Sequence, residues 1–165
     1  MKHLWLMVMA LVSMSAMAEP PAVSPTTSLA TAQLAGGCFW CVESDLRKLE
    51  GVVNVVSGYA GGTIPNPTYE NYHDDIPSQQ PHVEVVEVTY DPTRLTYARL
   101  LDYFLRHIDV TDGGGQFCDR GPAYRPVIFT TTQAEAQLAA DTLAKAATEL
   151  NQPVQVDVLP ATRFW

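Results

Sequence analysis

LATAQLAGGCFWCVESDLRKLEGVVNVVS, residues 29–57, decides how the chain begins to fold. Residues 29–35 form a short run that stops at Gly36-Gly37, and they predict a strand. From Cys38 the apolar residues Phe39, Val42, Leu46 and Leu49 recur at helical spacing, and Gly51 stops the helix. Residues 52–57 are rich in valine and read as a second strand. Strand, helix and strand thus follow one another around a cysteine placed directly behind two glycines.

Further along, GYAGGTIPNP at 58–67 is loop chemistry throughout. HVEVVEVTYD at 82–91 alternates as a strand and closes at Asp91-Pro92. Thr96 can cap a helix with Tyr97, Leu100, Leu101, Phe104, Leu105 and Ile108 on one face. A second long loop covers 109–126, and VIFTT after it reads as a strand. Thr132-Gln133-Ala134-Glu135 is a capping box for a helix to about Leu150, with Ala136, Ala139, Leu143, Ala147 and Leu150 inward. VQVDVL at 154–159 is the last predicted strand. The expected fold is α+β: a two-layer α/β sandwich around a mixed sheet, with a ferredoxin-like core and long functional loops. Those loops are where chemistry is expected.

Toward the start, Met1-Lys2-His3, the apolar run Leu4–Val12 and the small-x-small site Ala16-Met17-Ala18 predict a signal peptide over 1–18. Residues 19–28, with Pro20, Pro21 and Pro25, read as a flexible lead-in, which leaves 29–165 as a single catalytic domain. The expected location is outside the cytosol, in the periplasm. A net charge of −8 without a basic patch argues against nucleic acid as a partner. Three cysteines are too few for a disulfide scaffold.

A Cys38 that opens a helix lies near unpaired backbone N–H groups and the positive end of the helix dipole, an arrangement that favours thiolate. The two glycines would let backbone approach a ligand without Cβ interference. Phe39 fits the core stripe and Trp40 does not, so Trp40 belongs beside the sulfur as an aromatic wall. Cys41 lies one helical turn from Cys38, a spacing open to a disulfide or to two zinc ligands. Zinc needs two more ligands, and His82, His107 and Cys118 show no paired spacing, so no metal is expected. Strand alternation puts Glu84 on the face of Val86, Val88 and Tyr90, where partial burial would make it a proton donor. Glu87 points to the other face and is expected in solvent. Tyr69, Cys118, Asp119 and Tyr124 lie in or beside the two loops, and the phenols can donate hydrogen bonds to a substrate oxygen.

GGCFWCVE at 36–43, SGYAGGTIPNPTYE at 57–70, HVEVVEVTYDP at 82–92 and CDRGPAYRPVIFTT at 118–131 stand in the order found in one family. The chain resembles the A-type peptide methionine sulfoxide reductases over about residues 31–160. The resemblance implies that Cys38 attacks the sulfur of the S epimer of methionine sulfoxide while Glu84 protonates its oxygen. It implies that Tyr69 and Tyr124 hold that oxygen, that Asp119 lines the pocket, and that Phe39 and Trp40 house the S-methyl group. The products would be methionine and a sulfenic acid on Cys38. No metal or organic cofactor is implied. A thioredoxin-like dithiol is expected as external reductant, oxidised proteins or peptides as substrate, and a monomer as the working state.

Many relatives carry recycling cysteines near the C-terminus, whereas here none follows Cys118. Relatives also usually continue past the position of Phe164-Trp165 through an acidic and aromatic segment, which bears on stability and pocket closure. The sulfenic acid is therefore expected to be resolved by Cys41 or Cys118, with Cys41 the nearer in sequence. Two rivals explain less of the chain. An exported thioredoxin-like dithiol oxidoreductase leaves Glu84, Tyr69 and the CDRG loop without a role. A non-catalytic module binding oxidised methionine would release no methionine.

Overall fold

The computed structural model describes residues 28–165, so the predicted signal peptide and nearly all of the lead-in lie outside the described residues. Among the described residues, seven strands and three α-helices follow in the order β1 (Ala30–Ala35), α1 (Phe39–Leu46), β2 (Val52–Ala60), β3 (Val83–Tyr90), α2 (Tyr97–Leu105), β4 (Gly115–Gln116), β5 (Asp119–Arg120), β6 (Val127–Thr130), α3 (Gln133–Leu150) and β7 (Asp157–Pro160). The main sheet has the order β2-β3-β1-β6-β7. β1 pairs antiparallel with both β3 and β6, β2 pairs antiparallel with β3, and β6 pairs parallel with β7. The first four of these strands and α1 and α2 make the ferredoxin-like core. The β6-α3-β7 crossover adds the parallel strand that makes the sheet mixed.

One sheet face carries the helices. Leu34, Val55, Val86, Val88 and Ile128 pack there with Phe39, Val42 and Leu46 of α1, Leu100, Leu101 and Phe104 of α2, and Ala139 of α3. The opposite face has a smaller cluster of Ala35, Ala60, Val83, Val85, Val127 and Phe129, covered by Leu159, Ala161 and Phe164. β3 is therefore buried on both faces at its start, which is why Val83 to Val86 show no polar alternation apart from Glu84.

The caps follow the sequence closely. Thr96 accepts from the Arg99 N–H at the start of α2. Thr132 and Glu135 exchange both bonds of a capping box, and Asn151 ends α3 in the left-handed conformation. Four expectations need correction. β2 runs on to Ala60 rather than stopping at 57, because Gly58, Tyr59 and Ala60 stay paired with Val85, Glu84 and Val83. Residues 154–156 are not in the last strand; the Gln155 N–H donates instead to the Val110 carbonyl at 2.7 Å. Leu150 is exposed, since the packed part of α3 is centred on Ala139 and its last turn stays open to solvent. Glu87 is only half-exposed and accepts a 3.2 Å hydrogen bond from Gln33 of β1.

Candidate active site

β1 delivers the chain to Gly36-Gly37, and both glycines are required by close packing. A Cβ on Gly36 would lie 2.8 Å from Phe104 and Ile108 side-chain atoms, and one on Gly37 would lie 2.5 Å from the Gln116 Cβ. Gly37 also has φ +86°, which other residues rarely adopt. The glycines thus make room for α2 and the second loop rather than for a ligand. Gln116 locks that loop: its Oε1 accepts from the Asp109 N–H at 2.7 Å and its Nε2 donates to the Asp109 carbonyl at 2.8 Å.

Cys38 is the N-cap of α1, and its carbonyl accepts from Cys41 and Val42 at 3.1 and 3.2 Å. The next amide, that of Phe39, has no partner within the helix. It donates to Glu84 Oε2 at 2.8 Å. Glu84 is 3% exposed on the helix-covered side of β3, as the alternation predicts. Burial pushes its carboxyl up, against the opposing pull of the Phe39 N–H and the Tyr72 hydroxyl, and the Asp119 charge adds to the rise.

The second partner of Glu84 was not among the sequence candidates. Tyr72, 2% exposed, donates its hydroxyl to Glu84 Oε1 at 2.8 Å and lies 3.5 Å from the Tyr124 hydroxyl. Burial and these two partners push its phenol far up. Residues 68–72 form a single helical turn, with the Tyr72 N–H donating to the Thr68 carbonyl at 3.0 Å. On this turn Tyr72 is buried, whereas Tyr69 beside it is 53% exposed. The spacing Tyr69-x-x-Tyr72 puts the two rings side by side, 6.3 Å apart, and does not by itself say which one is buried. His82 ties this loop to β3. Its Nδ1 accepts from the Gly62 N–H at 3.2 Å, which leaves Nε2 protonated to meet the Ile64 carbonyl at 2.8 Å. Its own N–H donates to the Tyr72 carbonyl at 2.8 Å.

Aromatic rings frame the acid. Tyr59, opposite Glu84 in the β2–β3 ladder, stacks on Tyr72 with centroids 4.6 Å apart and lies 5.7 Å from Phe39. Phe39 is buried, while Trp40 is 63% exposed and stacks almost parallel on Tyr69 at 5.9 Å. Tyr124, on the 3-10 turn Pro122–Tyr124, closes the group from the second loop.

On its other side Cys38 opens on a cavity of about 140 Å³ shared with Cys41, Asp45, His107, Phe117 and Asp119. Cys41 is free and exposed; burial of its sulfur and the adjacent Cys38 push its thiol up, with Asp119 and Asp45 adding to the effect. Cys118 is also free and exposed. It stands at the tip of the β4–β5 hairpin between two residues of the cavity wall, but not in the wall itself. A larger depression of about 650 Å³, between the ends of α2 and α3, contains none of the predicted site residues. Among the described residues no group of three or more His, Cys, Asp or Glu side chains is placed to hold a metal.

The structure thus gathers Glu84, Tyr59 and Tyr124 around Tyr72, holds Glu84 on the amide that follows Cys38, and lines one cavity with Cys38, Cys41 and Asp119. A carboxyl whose burial favours its protonated form, held on the amide that follows a thiol residue, can protonate an oxygen as sulfur attacks.

The family model described as peptide methionine sulfoxide reductase matches residues 30–165. MsrA 2 of Caulobacter vibrioides is 42% identical over 166 residues, an alignment covering all of this chain and 82% of that protein. MsrA/MsrB of Vibrio cholerae is 43% identical over 148 residues, covering 86% of this chain, which spans only 37% of that relative's length. Among solved structures, reduced Mxr1 from Saccharomyces cerevisiae matches with a TM-score of 0.71 at 26% identity, over 86% of this chain and 80% of that one. The chain belongs to the peptide methionine sulfoxide reductase family.

Proposed function

We propose that this protein is a thiol-dependent oxidoreductase that reduces the S epimer of methionine sulfoxide, carried in proteins or peptides, to methionine. Cys38 attacks the sulfoxide sulfur and Glu84 gives its proton to the oxygen; the Tyr124 hydroxyl holds that oxygen, and Tyr72 holds Glu84 in place. The S–O bond breaks as the sulfenic acid forms on Cys38 and methionine leaves. The observation that carries this reading is the Phe39 N–H on Glu84 Oε2 at 2.8 Å, which fixes the acid next to the nucleophile's own residue.

The sulfenic acid then condenses with the Cys41 thiol, giving a Cys38–Cys41 disulfide and water. Their common cavity supports Cys41 over Cys118. Two electrons from an external dithiol return both thiols. Mxr1 of Saccharomyces cerevisiae, whose fold this chain shares, has been solved in complex with Trx2, which supports a thioredoxin-like donor here. The leader-like start, Met1–Ala18, supports placing the reaction in the periplasm.

The reading is tested by single turnover of pre-reduced protein, free of reductant, with each epimer of a peptide methionine sulfoxide. One methionine per chain from the S epimer alone, with two thiols consumed, supports it. Turnover of both epimers alike, or of neither, overturns it.

A further inference from the structure

The C-terminal residues 161–165 lead from the β7 side of the sheet to its opposite edge. The Ala161 N–H donates to the Thr130 carbonyl at 2.8 Å, beside β7. The Thr162 hydroxyl accepts from the Gly61 N–H at 2.9 Å, just past the end of β2. Phe164 packs into the apolar cluster on the helix-free face. Trp165 then pairs reciprocally with Tyr59: each N–H donates to the other's carbonyl at 3.0 Å. β2 is the edge strand of the main sheet, so this pairing fills part of an otherwise open edge. Gly58 permits it, because a Cβ there would collide with the Trp165 carbonyl and the Phe164 ring.

Tyr59 faces Glu84 across the ladder and stacks on the ring whose hydroxyl holds that carboxyl. A displacement of β2 at Tyr59 would reach Tyr72 through one ring contact and Glu84 through one more hydrogen bond. We infer that the strap 161–165 and Tyr59 are positioning elements of the active site, holding the Tyr72–Glu84 pair in register with Cys38. This rests on Glu84 being the acid of the proposed reaction. The strap touches none of the reacting atoms, so its effect belongs in the chemical step rather than in substrate binding.

Gly58→Ala tests it with the smallest change that displaces the strap, in the full-length chain. Two quantities are read: hydrogen exchange at the Tyr59 amide, and the single-turnover rate on a peptide containing the S epimer, across substrate concentration and pH. The expected result is lost protection at Tyr59 with the other β2–β3 amides still protected. The rate at saturating substrate should fall roughly tenfold, a fraction of what a general acid contributes, with half-saturation little changed. Because the groups facing Glu84 are the Phe39 N–H, Tyr59, Tyr69, Tyr72, His73 and Asp119, loosening the Tyr59 roof admits water without removing a charge. The alkaline limb of the profile should therefore move to lower pH.

If Gly58→Ala does not fold, Phe164→Ala removes the strap's apolar anchor and is read by the same criteria. Unprotected Tyr59 in the unaltered chain, or lost protection with an unchanged rate and profile, overturns the inference. So does retained protection in both variants. An unaltered chain that releases no methionine would instead overturn the proposed function, which keeps the two failures distinct.

Discussion

The backbone N–H of Phe39 and the carboxyl of Glu84, 45 residues apart, are joined by a buried 2.8 Å hydrogen bond. Helix starts leave their first amides without partners, and here the first of them is satisfied by the acid instead of by a capping side chain. The bond fixes the entry of α1 against β3. It thereby sets the distance between the residue after Cys38, the proposed nucleophile, and Glu84, the proposed proton donor, so one contact would serve both stability and chemistry.

Glu84→Gln keeps an oxygen to accept the Phe39 N–H but has no acidic proton. It should fold and lose about 10²- to 10⁴-fold in single-turnover rate. Glu84→Leu should in addition lower stability by about 1–3 kcal/mol, because the buried amide loses its partner. Denaturant titration of the two variants beside the rate measurement separates these effects.

The pH dependence follows from the direction of the Glu84 shift. Its carboxyl is raised on folding, so between the unfolded and folded values the folded chain holds a proton that the unfolded chain has released. The resulting stabilisation is full below the unfolded carboxyl's value and is lost as pH rises through the folded one. The rate of methionine release should fall over that same upper range. Glu84→Gln should flatten this part of the stability–pH curve, which urea titrations at a series of pH values would read directly.

Tyr72→Phe should reduce the single-turnover rate more than Tyr69→Phe does, on the order of tenfold against a small change. The Tyr72 hydroxyl is on the acid, whereas Tyr69 lies at the surface against Trp40. Equal losses in the two variants would place Tyr69, as the resemblance implies, on the sulfoxide oxygen beside Tyr124.

How far the sequence could carry the reading is seen in these two tyrosines. Tyr69 and Tyr72 share a short turn inside a loop whose path is set by His82 and Gly62, contacts that no periodicity records. Glu84, by contrast, lies in a regular strand, where alternation alone assigns its face. The same contrast holds for the glycines: Gly36 and Gly37 were legible as a break, but their reasons, Phe104 and Gln116, are far away in sequence. Local chemistry such as the Thr132–Glu135 box was fully legible. The run of β2 to Ala60 was not, because Gly58 answers to Phe164 and Trp165, residues more than a hundred positions on.

That capping box offers a check on stability independent of catalysis. Thr132→Ala removes the acceptor for the Glu135 N–H and should cost about 1 kcal/mol, with single-turnover rate unchanged. Thermal unfolding and the rate assay on the same preparation decide it.

Cys41→Ser should still release one methionine from the S epimer but leave the sulfenic acid unresolved, whereas Cys118→Ser should form the first disulfide at the normal rate. Thiol counts after one turnover, with peptide mapping of the disulfide, distinguish the two. A first disulfide joining Cys38 to Cys118 would reverse the assignment made from the cavity they share or do not share.

The most direct test of the account is mass spectrometry of the chain carrying both Cys41→Ser and Cys118→Ser after a single turnover with the S epimer and a sulfenic-acid trap. The account predicts one methionine released per chain and one trapped sulfenic acid, at Cys38. Methionine released with Cys38 unmodified, or an intact sulfoxide beside a reduced Cys38, would contradict it.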